Sequence, residues 1–397
     1  MGEIIMTERH QQQVHIITKL HAGELDIHEA AASLGKSERQ VRRLRAAFLE
    51  HGPEGLVHGN TGRPPTNVTD PETVKKVKSL LETTYAGCND SHFKDLLAER
   101  EQISLSRSTV RNIRQTSGLA TPRPRRRREG RRSRRLRCAQ EGMMLQMDGS
   151  PHNWLEDRGP RLTLVSAIDD ATGVLWGLFR ESETLEAYMT LLWSISLEKG
   201  LPECVYTDRT AIVAGTQRRF RPVKEEQVGH ASQFARACAE VGVNIILAHS
   251  PQAKGRTERS HGTLQDRLVS ELRIAGIATL KDANDYLQQD YLPRHNSRFS
   301  IAAADATPAW KEWSSNFERH DVFCLKEQRV VNNDNSIRAN NVVLDLKPPP
   351  GTTLARQAVT VHRRFDGTIA VFWQNQCVFG VTDASPNRLK RTNYLNS

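Results

Sequence analysis

The sequence predicts three structural classes in succession: an all-α N-terminal part, an α/β sheet with antiparallel and parallel strands, and a β-rich end. Three observations carry this expectation. Residues 26–52 have the spacing of two helices meeting at a tight corner. From Met143 onward three strand-like runs give way to alternating helices and strands. Residues 320–383 break into many short strands separated by turn residues. Hydrophobic residues make up 38% and charged residues 26% of the 397, a balance that supports a packed core. No apolar run approaches the ~18 residues of a membrane span, and MGEIIMTERHQQQ lacks the apolar stretch of a signal peptide, so a cytoplasmic protein is expected. The six cysteines are scattered with no Cys-x-x-Cys pair, which argues against a zinc site or a disulfide framework.

Within DIHEAAASLGKSERQVRRLRAAFLEHG, Ala31 lets two helices approach, Gly35 supplies the turn and Val41 packs back from the second helix. Ser37 followed by Gln40 is a capping box, which starts the second helix near Glu38. Val41, Leu44 and Phe48 then face the core, and Arg39, Arg42, Arg43 and Arg45 lie on the exposed side. A basic second helix suits a DNA major groove, so residues 10–60 read as a helix-turn-helix DNA-binding module. GNTGRPP at Gly59–Pro65 breaks the pattern. Residues 66–120 form a second helical unit. There Thr69 or Asp70 caps a helix with Pro71 in its first turn, and HFKDLLAER and SRSTVRNIRQTSGL make a further pair. Arg107, Arg111 and Arg114 decorate the last helix, and this unit, which lacks the glycine turn, reads as a second DNA-binding module.

Charge is concentrated in one place. Residues 121–137 hold ten arginines and one glutamate, a local net of +9 out of +10 for the whole chain. Such a run, opened by Pro122 and Pro124, repels itself into an extended linker over residues 121–140. Its guanidiniums, including Arg125, Arg126, Arg127 and Arg128, suit a phosphate backbone, because each contact releases condensed counterions.

Residues 141–310 read as the α/β part. Strands are expected at Met143–Asp148, Leu162–Asp169, Val174–Phe179, Glu203–Asp208 and Asn244–Ala248, with helices at Thr184–Lys199, Ser232–Val241 and opening near Lys254. Asp148 closes the first strand, Asp208 a later one, and Glu258 sits in the first turns of the last helix. Three carboxylates brought together repel unless cations hold them, and oxygen donors suit Mg²⁺ or Mn²⁺. His261 and Gln265 follow Glu258 at helical spacing, while Lys254, Arg256 and Arg259 crowd the helix start, where phosphate is favoured. Taken singly, Glu258 could equally be a surface ion-pair residue. Asp169 and Asp170 read as turn residues, and His152 and Trp154 either shape the site or pack.

These pieces resemble the integrase-core DDE transposases of bacterial insertion sequences, most closely the ISNCY-like group. The matching segments are the N-terminal helix pair ending in GNTGRPP, then LQMDGSPHNWLED, AIDDATG, YTDR and AHSPQAKGRTERSHGTLQDRL, spread over most of residues 15–310. The resemblance implies an α/β ribonuclease-H-like catalytic core at residues 141–310, with Asp148, Asp208 and Glu258 as catalytic and metal-binding triad. It implies Mg²⁺ (or Mn²⁺), two ions, in cleavage of double-stranded DNA at element ends and strand transfer into target DNA. A homo-oligomer on DNA follows, with no membrane role. Arg209–Thr210–Ala211 departs from the family's histidine and glycine after the second aspartate, and GTQRRFRPVKEEQ from Gly215 reads as an inserted basic loop.

At the C-terminal end, strands are expected at Val322–Lys326, Arg329–Val331, Asn341–Leu346, Gln357–Arg363, Thr368–Trp373 and Gln376–Gly380, with hairpin turns at Asp366–Gly367 and Asn375. So many short strands suggest a small β-barrel over residues 320–383, serving DNA or subunit contacts or capping the core. The alternative to a transposase is a non-catalytic helix-turn-helix DNA-binding regulator derived from one. A ribonuclease-H-type nuclease explains the core but leaves the upstream helical modules without a purpose.

Overall fold

A computed structural model describes residues 8–57, 68–120, 136–208, 232–247, 255–339 and 342–380. The chain forms two compact units, Met1–Lys76 and Val77–Ser397. GNTGRPP, residues 121–135 of the arginine-rich segment, the basic loop from Gly215 and the departure at Arg209–Ala211 lie outside the described residues.

The first unit packs α1 (Glu8–Ala22), α2 (Ile27–Leu34) and α3 (Glu38–His51) around Ile17, Leu20, Ala30, Ala31, Val41 and Leu56. Both caps are those the residues dictate. Asp26 and Glu29 close one capping box and Ser37 and Gln40 the other, and Gly35 takes the left-handed turn at φ 59°. Leu44 and Phe48 pack on the core beside Val41, as expected.

Helix α4 (Pro71–Glu82), whose first turn is capped by Asp70 accepting from the Thr73 N–H at 2.9 Å, runs from one unit into the next, and α5 (Asp90–Arg100) and α6 (Arg107–Thr116) follow in the second. The central sheet runs β3 (Leu175–Arg180), β2 (Leu162–Asp169), β1 (Met144–His152), β4 (Cys204–Thr207), β5 (Asn244–Leu247). The first three are antiparallel; β4 and β5 run parallel to β1. This is the mixed sheet the sequence predicts.

Both faces are covered. On one side α7 (Leu185–Glu198) and α8 (Gln233–Glu240) pack Tyr188, Leu192, Phe234 and Cys238 against Leu145, Met147, Val165 and Val205. On the other, α9 (Gly255–Ile274), α10 (Leu280–Tyr286) and α11 (Leu292–Phe299) bury Leu264, Leu268, Leu272 and Leu292 against Leu164, Ile168 and Phe179. Coverage on both sides explains why β2 is buried along its whole length. The turn after β2 needs its two carboxylates: Asp169 accepts from Thr172 and Gly142, and Asp170 from Cys138 and Gln146. Trp154 is fully buried and donates to the Ser150 carbonyl at 3.1 Å, which makes it a packing residue.

The arginine-rich segment separates α6 from β1 in sequence, yet α5 docks directly on α9 and α11. The joint centres on Glu271, which is 3% exposed. It accepts from His92 at 3.1 Å, Arg100 at 3.4 Å, Tyr286 at 2.8 Å and Arg294. Around it Asp95 pairs with Arg267 at 2.9 Å and Arg298 at 3.0 Å, and Glu99 with Arg294 and Arg298. Arg114 is buried too: it donates to Asp90 and the Cys88 carbonyl, both at 2.7 Å, and does not decorate the surface as expected.

The C-terminal end corrects the β-barrel expectation. Helix α12 (Arg319–Val322) occupies the start of the first expected strand, and β6 (Leu325–Val330) merges two expected strands. With β9 (Ala358–Arg363), β10 (Ile369–Trp373) and β11 (Gln376–Gly380) it forms an open sheet in the order β11-β10-β9-β6. The hairpin of β7 (Ser336–Ala339) and β8 (Val342–Asp345) is a separate two-stranded sheet. Among the described residues the outer strands β6 and β11 do not pair with each other, so no closed barrel is found. Ile337 and Leu344 of the hairpin pack on Val359, Val361 and Val371, and this two-layer sandwich buries the apolar alternation that closure would otherwise bury. Asp321 anchors the sheet, accepting two bonds from Arg364 at 2.8 Å and one from His362 at 3.2 Å. Arg236 of α8 donates to the carbonyls of Val322 and Cys324, so this end packs on the core.

Two outcomes follow from the α5–α9 joint. Glu271→Gln removes the buried carboxylate on which His92, Arg100, Tyr286 and Arg294 converge and should cost about 1–3 kcal/mol in denaturant unfolding. Burial alone would raise the Glu271 carboxyl, but bonds from His92 and Arg294 hold it at about 2, below its ordinary 4.5. Burial, aided by Arg267, holds His295 at about 4, below 6.5. Both folded values are depressed, so the unfolded chain binds more protons as pH falls. Stability should therefore be full at neutral pH and decline from about 6.5 to 4 through His295 and from about 4.5 to 2 through Glu271, in melts recorded across that range.

Candidate active site and nucleic-acid interface

Helix α9 lies along β1 in register. Thr257 donates to Gln146 at 2.9 Å, His261 Nδ1 lies 3.9 Å from Asp148 Oδ2, and Gln265 donates to Ser150 at 3.2 Å. One helical step of four residues rises about 6 Å and two strand residues about 6.6 Å, so three successive pairs can form. Alternation along β1 puts Gln146, Asp148 and Ser150 on this face. Ser166, the register partner of Asp148 on β2, bonds His261 Nε2 at 2.9 Å and donates to the Asp148 carbonyl at 3.4 Å.

The parallel pairing of β1 with β4 matches Gln146 to Tyr206. Two residues further on, Asp148 is level with Asp208, which directly follows β4, and both are half-buried. The two carboxylates thus stand on adjacent strands near the carboxyl end of the sheet's parallel part. Glu258 is exposed on α9, one residue past Thr257 and so turned about 100° from the seam that carries His261 and Gln265. Of the three acidic residues, then, strand pairing sets Asp148 level with Asp208, while Glu258 is exposed on α9 off the seam. Among the described residues, no three His, Cys, Asp or Glu side chains are gathered closely enough to hold a metal ion.

A fourth carboxylate, unforeseen in the sequence, is Glu183 before α7. It accepts from the Tyr188 hydroxyl at 2.6 Å and lies against Gly149, where an added Cβ would come within 2.5 Å of it. The phenol of Tyr188 is pushed well above its ordinary range by burial and by the charges of Glu183, Asp148 and Asp208, so these groups share one electrostatic neighbourhood. The available signal was Gly149 itself, a glycine inside a strand directly after Asp148, which marks a close approach.

The sequence-identified basic residues divide three ways. Arg39, Arg42 and Arg43 are exposed on α3, with Arg42 also paired to Glu38 at 2.9 Å. Arg107 and Arg111 are exposed on α6, and Arg259 on α9. Arg45 is half-buried and its Nε has no hydrogen-bond partner, so it departs from the exposed row. Arg125, Arg126, Arg127, Arg128 and Lys254, and the side chain of Arg256, lie outside the described residues.

Comparison with known proteins finds a family model, whole-length relatives and solved structures that this chain is similar to. A winged helix-turn-helix family model matches residues 14–74. The chain is 33% identical to y4bF of Sinorhizobium fredii, a protein named as a candidate transposase, over 94% of this chain and 81% of that one. It is 31% identical to the transposase of insertion sequence IS1202 of Streptococcus pneumoniae, over 82% of this chain and 76% of that one. Among solved structures it is similar to the HTLV-2 integrase catalytic core domain in complex with magnesium. That likeness has TM-score 0.27 at 18% identity and covers 37% of this chain and 82% of the other. The simian T-cell lymphotropic virus intasome gives TM-score 0.32 at 13% identity, covering 78% of this chain and 100% of the other. Identity at this level along nearly the whole length places the chain in one family: it belongs to the transposases of insertion sequences.

Proposed function

We propose that this chain binds the ends of its element and carries out divalent-metal-dependent cleavage and strand transfer of DNA, with Asp148, Asp208 and Glu258 as the catalytic carboxylates. The observation that supports this best is the β1–β4 register, which makes Asp148 and Asp208 neighbours beside the helix bearing Glu258. The donor set fits a hard cation, since all three residues offer carboxylate oxygens and two are only half-buried. Asp148, Asp208 and Glu258 would hold Mg²⁺ or Mn²⁺, two ions in this reading. When bound, such ions lower the pKa of an attacking hydroxyl and neutralise charge on the scissile phosphate.

The chain's own residues prepare this site. Ser166 and His261 fix the β1 backbone and the α9 register at Asp148, so that carboxylate is held before substrate arrives. Glu183, steadied by Tyr188, closes the far side of β1 at Gly149. The N-terminus of α9 supplies the positive end of its dipole, with Arg259 exposed one turn on, where phosphate is favoured. The helix pair α2–α3 presents Arg39, Arg42 and Arg43 to a major groove, and α6 adds Arg107 and Arg111 as a second reader.

Strand cleavage on a duplex carrying the element end separates this reading from that of a non-catalytic DNA-binding regulator. Asp148→Asn should lower the Mg²⁺-dependent cleavage rate by roughly 10²-fold or more while leaving duplex affinity nearly unchanged. Equal cleavage by the two proteins, or none by either, would remove the catalytic assignment. Replacing Arg125, Arg126, Arg127 and Arg128 with glutamine should flatten the dependence of log affinity on log salt by about 1 for each phosphate no longer neutralised, read by titration at several salt concentrations. An unchanged slope would remove the phosphate-binding role of that segment.

A further inference from the structure

An open groove of about 490 Å³ lies between the starts of α5 and α6 and the outer face of α9. Arg107 of α6 and Arg259 of α9 line it, with Gly262, Thr263 and Asp266 along α9. Both arginines are exposed, and among the described residues neither forms an ion pair with a carboxylate. The other charges are engaged. Arg267 pairs with Asp95 at 2.9 Å and covers the Phe299 ring at 5.0 Å; Asp90 takes Arg114. Asp266 accepts from Asn89, whose side-chain oxygen also caps α5. What the groove offers a visitor is therefore the two guanidiniums of Arg107 and Arg259, against the one carboxylate, Asp266, which the neutral Asn89 amide bonds without cancelling its charge. A Cβ at Gly262 would meet nothing within 4 Å, so another backbone can approach α9 closely there.

A small anion would find no enclosure here, since small-ligand sites bury most of their ligand. An elongated polyanion fits better, because it can touch α6 and α9 at once and continue past Arg111. The bonds that dock α5 on α9 and α11 also fix the width of the groove. Accordingly, we infer that this groove seats one phosphodiester backbone of bound duplex DNA at the start of α9, beside Glu258. The inference rests on the DNA-binding reading above and adds a place. The helical module and the catalytic helix grip the same strand, so the distance from recognised bases to the cut is set by the fold.

The test places a thiol in the open position. Gly262→Cys is mixed with a random-sequence duplex carrying an activated disulfide tether on one backbone phosphate; the unaltered chain, with its six cysteines, supplies the background. The variant should crosslink several-fold above background. The added yield should be suppressed by untethered duplex and by Arg107→Gln with Arg259→Gln. That double change should also lower the salt slope by about 2. Binding at full affinity with no crosslink above background would overturn the groove alone. Failure of the unaltered chain to retain duplex at low salt would overturn the DNA-binding reading along with it.

Discussion

The seam between α9 and β1 is the constraint on which the rest of the second unit depends. A helix and a strand have different rises per residue, and they stay in step only because four helical residues nearly match two strand residues. Three polar pairs use that match, at Gln146, Asp148 and Ser150. Below them Leu264, Leu268 and Leu272 continue the same helix into the apolar layer, which supplies the burial energy that polar pairs alone would not. Shifting α9 by one residue would take His261 away from Asp148 and turn its leucines out of the core.

The second constraint is electrostatic. Glu271 sits on α9 at the end far from Asp148 and is almost completely buried, so its charge is tolerated only because His92, Arg100, Tyr286 and Arg294 surround it. Two of these partners come from α5. One buried carboxylate thus makes the helical pair α5–α6 part of the core's own packing. A single helix carries both arrangements, with the seam at its start and the buried hub toward its end.

Much of this was legible from local rules. The capping box at Ser37, the left-handed Gly35 and the strands of the central sheet all follow from residue chemistry acting over a few positions, and the structure has them where those rules put them. The failures share a cause. Arg114 looked like a surface charge on a basic helix, but its partners Asp90 and Cys88 lie on neighbouring segments that no periodicity reveals. The C-terminal strands were visible as alternation, yet alternation is the same in a barrel and in an open sheet covered by a hairpin. Glu183 carries no mark in the sequence, because only folding lays it against Gly149.

The sequence by itself determined the helix-turn-helix, the mixed sheet and the identity of the acidic and basic residues, because caps, turns and alternation act through neighbours in the chain. Only the tertiary structure decided which of those residues meet. It set Asp148 level with Asp208 through strand pairing, turned Glu258 aside from the α9 seam, and docked α5 on a helix more than a hundred and fifty residues away through Glu271. Such meetings depend on the register and packing of distant elements, and a buried charge chooses its partners only once the chain has closed around it.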